Sequence, residues 1–332
     1  MKKNLSTIPL SVLDLATIRE GHTAADAFRN SLMLAQGVEK AGYKRYWFAE
    51  HHNMESVASS SPALLIGHIA GGTSSIRVGA GGIMLPNHAP LIVAEQFGTL
   101  ASLYPDRIDL GLGRAPGTDQ ITAMALRRNR MESVHDFPQD VVQLQTLFSA
   151  ENRNGRVRAI PGEGLSIPIW ILGSSTDSAR LAAVMGLPYA FASHFAPTHL
   201  HHALQLYREG FQPSERLSAP YAMACVNVIV AETDAEAQKL ATSFYNLALG
   251  LIRNNRKPLQ QPVDSMEGLW TDYEQAAVQQ MMAYSFVGSP QKIKESLNVF
   301  LAETGVDELM VAAHIYDPAA KLRSYELLAG LQ

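Results

Sequence analysis

Eight times along this 332-residue chain a short apolar run gives way to small or polar residues and then to a stripe of helical period. Strands are read at 5–13, 43–49, 76–85, 108–112, 167–172, 189–193, 221–231 and 308–313. The run 221–231 is nearly all apolar, which suits a strand covered on both faces, as in a parallel sheet. Parallel neighbours need crossover connections, and helical stripes at 26–40, 62–71, 91–103, 138–147, 176–185, 198–210, 233–251, 289–303 and 318–329 supply them. Eight strand–helix units are the count for a (β/α)8 TIM barrel, whose strands deliver their C-terminal ends to one shared face. A doubly wound sheet would need fewer strands or a second domain. No low-complexity linker divides the chain, so residues 1–332 are read as one domain. The stretch 253–286 is an insertion between strands seven and eight, with a helical pattern at 272–283. It is longer than a bare connection and is expected to decorate the active face.

Composition narrows the class of partner. Hydrophobic residues make up 47% and charged residues 17%, enough apolar material for a large core. The formal charge is −4 and no block of five basic residues occurs, so nothing marks a nucleic-acid partner. No apolar run approaches the roughly 20 residues that cross a bilayer, and the first residues lack a signal-peptide core. The single cysteine, Cys225, cannot form an intrachain disulfide and lies in an apolar run, where it reads as a small core residue. The expected compartment is the cytoplasm.

Four strand ends carry candidate chemistry. After strand two comes Glu50-His51-His52; alternation puts Glu50 and His52 on one side and His51 on the other. His51 is a candidate proton donor or acceptor, with a structural role or metal ligation as alternatives; no His/Cys spacing supports a metal. Strand three holds Gly79, Ala80, Gly81 and Gly82, a costly run that implies a bulge, the approach of a flat ligand, or crowded packing. No GxGxxG motif opens a helix there, so a nicotinamide-binding doubly wound fold is not supported. Arg114 follows strand four among glycines, with a guanidinium fork suited to phosphate. Gly173, Ser174, Ser175 and Thr176 lie between strand five and its helix, where amides and hydroxyls favour an anion, or merely cap the helix. Together at neighbouring strand ends, Arg114 and this turn would hold a phosphate from two sides. Arg127, Arg128 and Arg130 are read as solvent-facing rather than as a second anion site. Trp47 and Trp170 are expected in the core and Trp270 in a pocket wall.

Taken together, Tyr-Trp-Phe-Ala-Glu-His-His-Asn at 46–53, Val-Gly-Ala-Gly-Gly-Ile-Met-Leu-Pro at 78–86, Ala-Glu-Gln-Phe-Gly-Thr-Leu at 94–100 and Arg-Ile-Asp-Leu-Gly-Leu-Gly-Arg at 107–114 resemble the bacterial luciferase-like flavin monooxygenases. The resemblance spans essentially the whole chain. It implies a barrel that takes FMN reduced by a separate NAD(P)H-dependent flavin reductase, and that oxygenates a small organic substrate through a flavin C4a-hydroperoxide. It implies a catalytic role for His51, a non-proline cis peptide at Gly81–Gly82 beneath the flavin ring, and phosphate contacts from Arg114 and residues 173–176. A homodimer formed through the barrel flank is also implied. Gly113 stands where luciferase has a reactive cysteine, so no cysteine role carries over. Hydride transfer without oxygen activation, and flavin binding without turnover, are the alternative activities.

Overall fold

The computed structural model describes residues 3–126 and 136–332. Strand β1 (Leu10–Asp14) is followed by α1 (Ala24–Lys40), β2 (Arg45–Phe48), α2 (Pro62–Gly71), β3 (Arg77–Met84), α3 (Pro90–Leu103) and β4 (Ile108–Gly113). Then come α4 (Gln120–Leu126), α5 (Phe137–Phe148), β5 (Ile169–Gly173), α6 (Thr176–Val184), β6 (Tyr189–Phe191), α7 (Leu200–Glu209) and β7 (Ala222–Val230). The chain finishes with α8 (Asp234–Ile252), α9 (Asp272–Met281), β8 (Ser285–Gly288), α10 (Pro290–Thr304), β9 (Glu308–Ala312) and α11 (Pro318–Ala329).

Strands β1 to β7 pair in sequence order, all parallel, and β9 closes the ring between β7 and β1. This is the (β/α)8 TIM barrel that the eight-unit pattern predicts. Alternation along the strands makes two cores. Leu13, Trp47, Ala49, Trp170, Ala190, Met223, Cys225, Met310 and Ala312 fill the barrel interior, with Trp47 and Trp170 edge to face at 5.2 Å. The opposite faces, with Val12, Tyr46, Phe48, Val78, Leu110 and Val226 among them, pack under the helices. Both tryptophans are therefore core residues, as expected, and so is Cys225, whose thiol burial pushes far up from its ordinary pKa.

Two strands differ from the sequence reading. The strand expected at 5–13 begins instead with a 3-10 turn over Leu5–Thr7, because Asn4 and Thr7 form a reciprocal capping box. The insertion contributes a strand of its own, β8, which sequence pattern did not reveal. β7 outruns its neighbour: β6 pairs only with Ala222–Ala224, and β8 pairs in parallel with Asn227–Val230. A long apolar strand left half paired would expose backbone donors and acceptors, and the four residues of β8, which begins at the end of the insertion, satisfy them. The insertion also reaches the active face, where Leu259 bridges to Arg19 beyond the end of β1.

At the opposite end of the barrel, buried Arg45 lies between Asp109 and Glu308, at 2.6 and 2.9 Å. Arg77 also pairs with Asp109 at 2.6 Å, and Tyr221 donates to Glu308 at 2.8 Å. These charges close the floor that the N-terminal strand ends leave open.

Candidate active site

Following β2 outward, Trp47, Ala49 and His51 alternate onto the inner side, so His51 points into the barrel mouth. Its Nδ1 lies 3.2 Å from the carbonyl oxygen of Gly117. A carbonyl only accepts, so Nδ1 carries the hydrogen and Nε2 presents its lone pair. Burial pushes the imidazole below its ordinary pKa; the Gly117 carbonyl and Glu50 oppose this, while His52 and Arg256 add to it. The ring is neutral and basic at Nε2. Gly117 makes this contact possible: its φ is +65°, and a Cβ there would stand 2.7 Å from the Glu50 carbonyl oxygen.

Glu50, on the other side of the chain, is fully buried. His52 and His88 each donate from Nε2 to its Oε1 at 2.8 Å, and the Met84 amide donates to Oε2 at 3.0 Å. Burial alone would raise this carboxyl, but the histidines and the amide outweigh it and hold its pKa at about 2. The carboxylate thereby ties the end of β2 to the end of β3, directly after the glycine run. Sequence reasoning paired Glu50 with His52 by alternation but did not find this hub; the signal was a carboxylate beside two histidines with a third, His88, at the next strand end.

In β3 the Gly81–Gly82 peptide is cis, as the resemblance implied, and the register with β4 shifts between Ala80 and Ile83. The glycine run is therefore a bulge. Packing alone accounts for it: a Cβ on Gly79 would lie 2.6 Å from the Asp109 carbonyl oxygen, and one on Gly82 2.8 Å from that of Gly111.

The next two strand ends meet. β4 and β5 pair up to Gly113–Leu172. Arg114 leaves β4 half exposed, and its guanidinium lies 3.3 Å from Asp177 in the first turn of α6. That helix starts after Gly173 and Ser174 with Ser175 as N-cap, and the Ser175 side chain makes no capping bond. The predicted cation and hydroxyl-rich turn, residues 173–176, are thus neighbours. Arg127, Arg128 and Arg130 lie outside the described residues. Trp270 packs against Tyr245 of α8 at 5.9 Å.

Across the mouth stand residues that sequence reasoning left out. Asn227, on β7, donates to the His194 carbonyl oxygen at 2.7 Å and to Ser285 at 3.1 Å. His314 follows β9 and stacks on Phe244 at 4.7 Å. An asparagine inside the apolar run 222–230 was the available signal.

Residues 8–308 match the family described as luciferase-like monooxygenase. A luciferase-like monooxygenase of Escherichia coli K12 is 51% identical over 321 residues, covering 97% of this chain and 96% of that protein. The N-acetyl-S-alkylcysteine monooxygenase of Bacillus subtilis is 32% identical, with 97% of each chain covered. Among solved structures, apo-MsnO8 superposes with a TM-score of 0.87 at 34% identity over 98% of both chains. With a family match that runs from before β1 to the first residue of β9, and relatives that cover nearly the whole chain, the chain belongs to the luciferase-like monooxygenase family.

Proposed function

We propose that the chain is an FMN-dependent monooxygenase that uses reduced FMN and O2 to oxygenate a small organic substrate. The observation that carries the cofactor is the meeting of Arg114 with the uncapped start of α6 across its pair with Asp177. The residues fit a phosphate monoester: a forked cation at one strand end, and first-turn amides with the hydroxyls of Ser174, Ser175 and Thr176 at the next. Ala80, Gly81 and Gly82, on the strand beside β4, offer side-chain-poor backbone for the flat ring. Reduced FMN, when bound, supplies the electrons by which one atom of O2 enters the substrate and the other leaves as water.

The chain's own contribution follows from its geometry. His51, neutral and anchored through Nδ1, accepts or returns a proton at Nε2. Glu50 fixes the strand end from which it projects. The description of the Bacillus subtilis relative, an oxygenase of a small sulfur-containing molecule, supports oxygenation of a small substrate here. On this reading a separate NAD(P)H-dependent reductase delivers the flavin in the cytoplasm, and the chain works as a homodimer. Leu64 on α2 and Leu103 on α3, 76% and 64% exposed, support an apolar flank for that pairing.

The test is to mix the protein with photoreduced FMN and admit air. Binding together with a flavin oxidation rate different from that of free FMN is expected; no binding and the free-flavin rate would defeat the reading. Arg114→Ala should weaken FMN binding at least about tenfold, one charge-assisted contact's worth, with the melting temperature unchanged. His51→Asn should lower turnover about 100-fold or more, as loss of a proton-transfer group does, with FMN affinity kept.

A further inference from the structure

Three polar side chains at the ends of β6, β7 and β9 have no part in the assignments above. Asn227 follows Met223 and Cys225 onto the inner side of β7 and is 2% exposed. Both of its amide hydrogens point at fixed partners, His194 and Ser285, so the orientation of the group is set. Its Oδ1 is buried and accepts nothing among the described residues. His314 continues the inner row Met310 and Ala312 of β9, and its Nδ1 is buried without a partner among the described residues; His194 Nδ1 is in the same condition. Burial first, then His314 and His51, push the His194 imidazole down to about 3, so the three rings share one neighbourhood. Buried polar atoms without partners are rare and costly. Three together at neighbouring strand ends amount to an unmet hydrogen-bonding demand at a functional face.

Ring order separates this wall from the residues given to the flavin. Gly81 and Gly82 lie on β3, Arg114 follows β4, and Ser174 follows β5. β7 is four strands from β3 in either direction around the barrel, so the wall faces the flavin's side from across the mouth.

The geometry points to His194, Asn227 and His314 as the substrate-recognition wall, reading an uncharged secondary amide whose N–H meets Asn227 Oδ1 and whose carbonyl takes an imidazole N–H. This rests on the flavin reading above. Asn227 Oδ1 can only accept, so the ligand must donate there, which ketones, esters and thioethers cannot do. Among the described residues a carboxylate would lie beside two neutral imidazoles on which no unpaired cation acts, because Lys321, which acts on His314, is paired with Asp14 at 3.3 Å and Arg256 acts on His51 instead. Asn227 and Ala312 are register partners on adjacent strands, about 4.8 Å apart.

The probes are N-hexylacetamide, its N-methyl derivative, which lacks the donor, and hexanoate, which carries the charge. Each is titrated calorimetrically into the protein with and without oxidised FMN. N-hexylacetamide should bind at least about tenfold more tightly than either control, the consequence of one buried unpaired group. Asn227→Leu, of similar branched shape, should bring the amide and its N-methyl derivative within about twofold while FMN affinity stays the same. Because Asn227 also holds His194 and Ser285, His314→Phe and His194→Phe serve as second variants and should weaken N-hexylacetamide without touching FMN. Equal binding of the three probes by wild type, or an amide preference that survives all three substitutions, overturns the proposal. So does a tenfold loss of FMN affinity in Asn227→Leu, which would make these residues flavin contacts. Absence of FMN binding by wild type would instead defeat the flavin reading, and the amide preference is still read on the protein alone.

Discussion

Glu50 shows how one residue can hold a site without touching what reacts in it. Its carboxylate takes three hydrogen bonds, from His52, His88 and the Met84 amide, with no exposure to water. A glutamine in its place would put an amide donor against one of those donors, leaving two buried N–H groups face to face. Because the folded pKa, about 2, lies below the ordinary value of 4.5, the unfolded chain binds the proton more tightly. The stabilisation is therefore complete above pH 4.5 and is lost as pH falls toward 2. Between pH 5 and pH 3 wild type should lose about 2 kcal/mol more unfolding free energy than Glu50→Gln, from the roughly 1.5 pH units between 4.5 and 3 at 1.36 kcal/mol each. Urea titrations at the two pH values measure this, and parallel curves for the two proteins would contradict it. His52 offers a check on the same hub, since it is the donor that alternation alone placed beside Glu50.

At the scale of elements, the approach of β3 to β4 sets the shape of the flavin's side. A Cβ on Gly111 would lie 2.2 Å from the Ala80 carbonyl oxygen and 2.7 Å from Leu172. The first of these is backbone and cannot swing aside, so Gly111→Ala must push the strands apart at the bulge. A loss of about 3 kcal/mol is expected, at the upper end of overpacking costs, together with weaker FMN binding; a denaturation midpoint within error of wild type would refute it. The strands themselves were readable because each apolar run was followed by a helical period, and parallel strands cannot avoid that alternation. Arg114 and the turn at Ser174 were readable because an arginine among glycines and a hydroxyl-rich start to a helix are local patterns. β8 was not readable: four residues ending in Gly288 gain their pairing from the overhang of β7, a fact of tertiary structure. Asn227 and His314 were missed for the same reason, since their unmet bonds exist only once β6, β7 and β9 stand side by side.

Over the whole molecule, each barrel strand divides its work between its two ends, and β4 shows the division within one motif. The run 107–114 ends in Arg114 at the mouth, yet its Asp109 lies at the floor against Arg45 and Arg77. Arg45 is 7% exposed and is the cation between two fully buried carboxylates, Asp109 and Glu308. Burial pulls its pKa down, but the two carboxylates more than reverse this, so it stays charged under all conditions in which the fold exists. Arg45→Met would leave the packing volume largely filled while stripping both carboxylates of their shared partner. Removal of one member of such a buried set costs about 3–5 kcal/mol, because the remaining charges stay out of water. Lys44, 3.2 Å from Glu308, and Arg77 beside Asp109 relieve part of that cost, which puts the expected loss near the lower end. The Trp47–Trp170 layer separates this floor from the mouth, so FMN affinity of the folded fraction should change by less than about twofold, well under the tenfold that one lost contact gives. Unfolding free energy and FMN titration on the same preparation decide the matter. A large drop in flavin affinity would mean that floor and mouth are coupled through the tryptophan layer rather than separated by it.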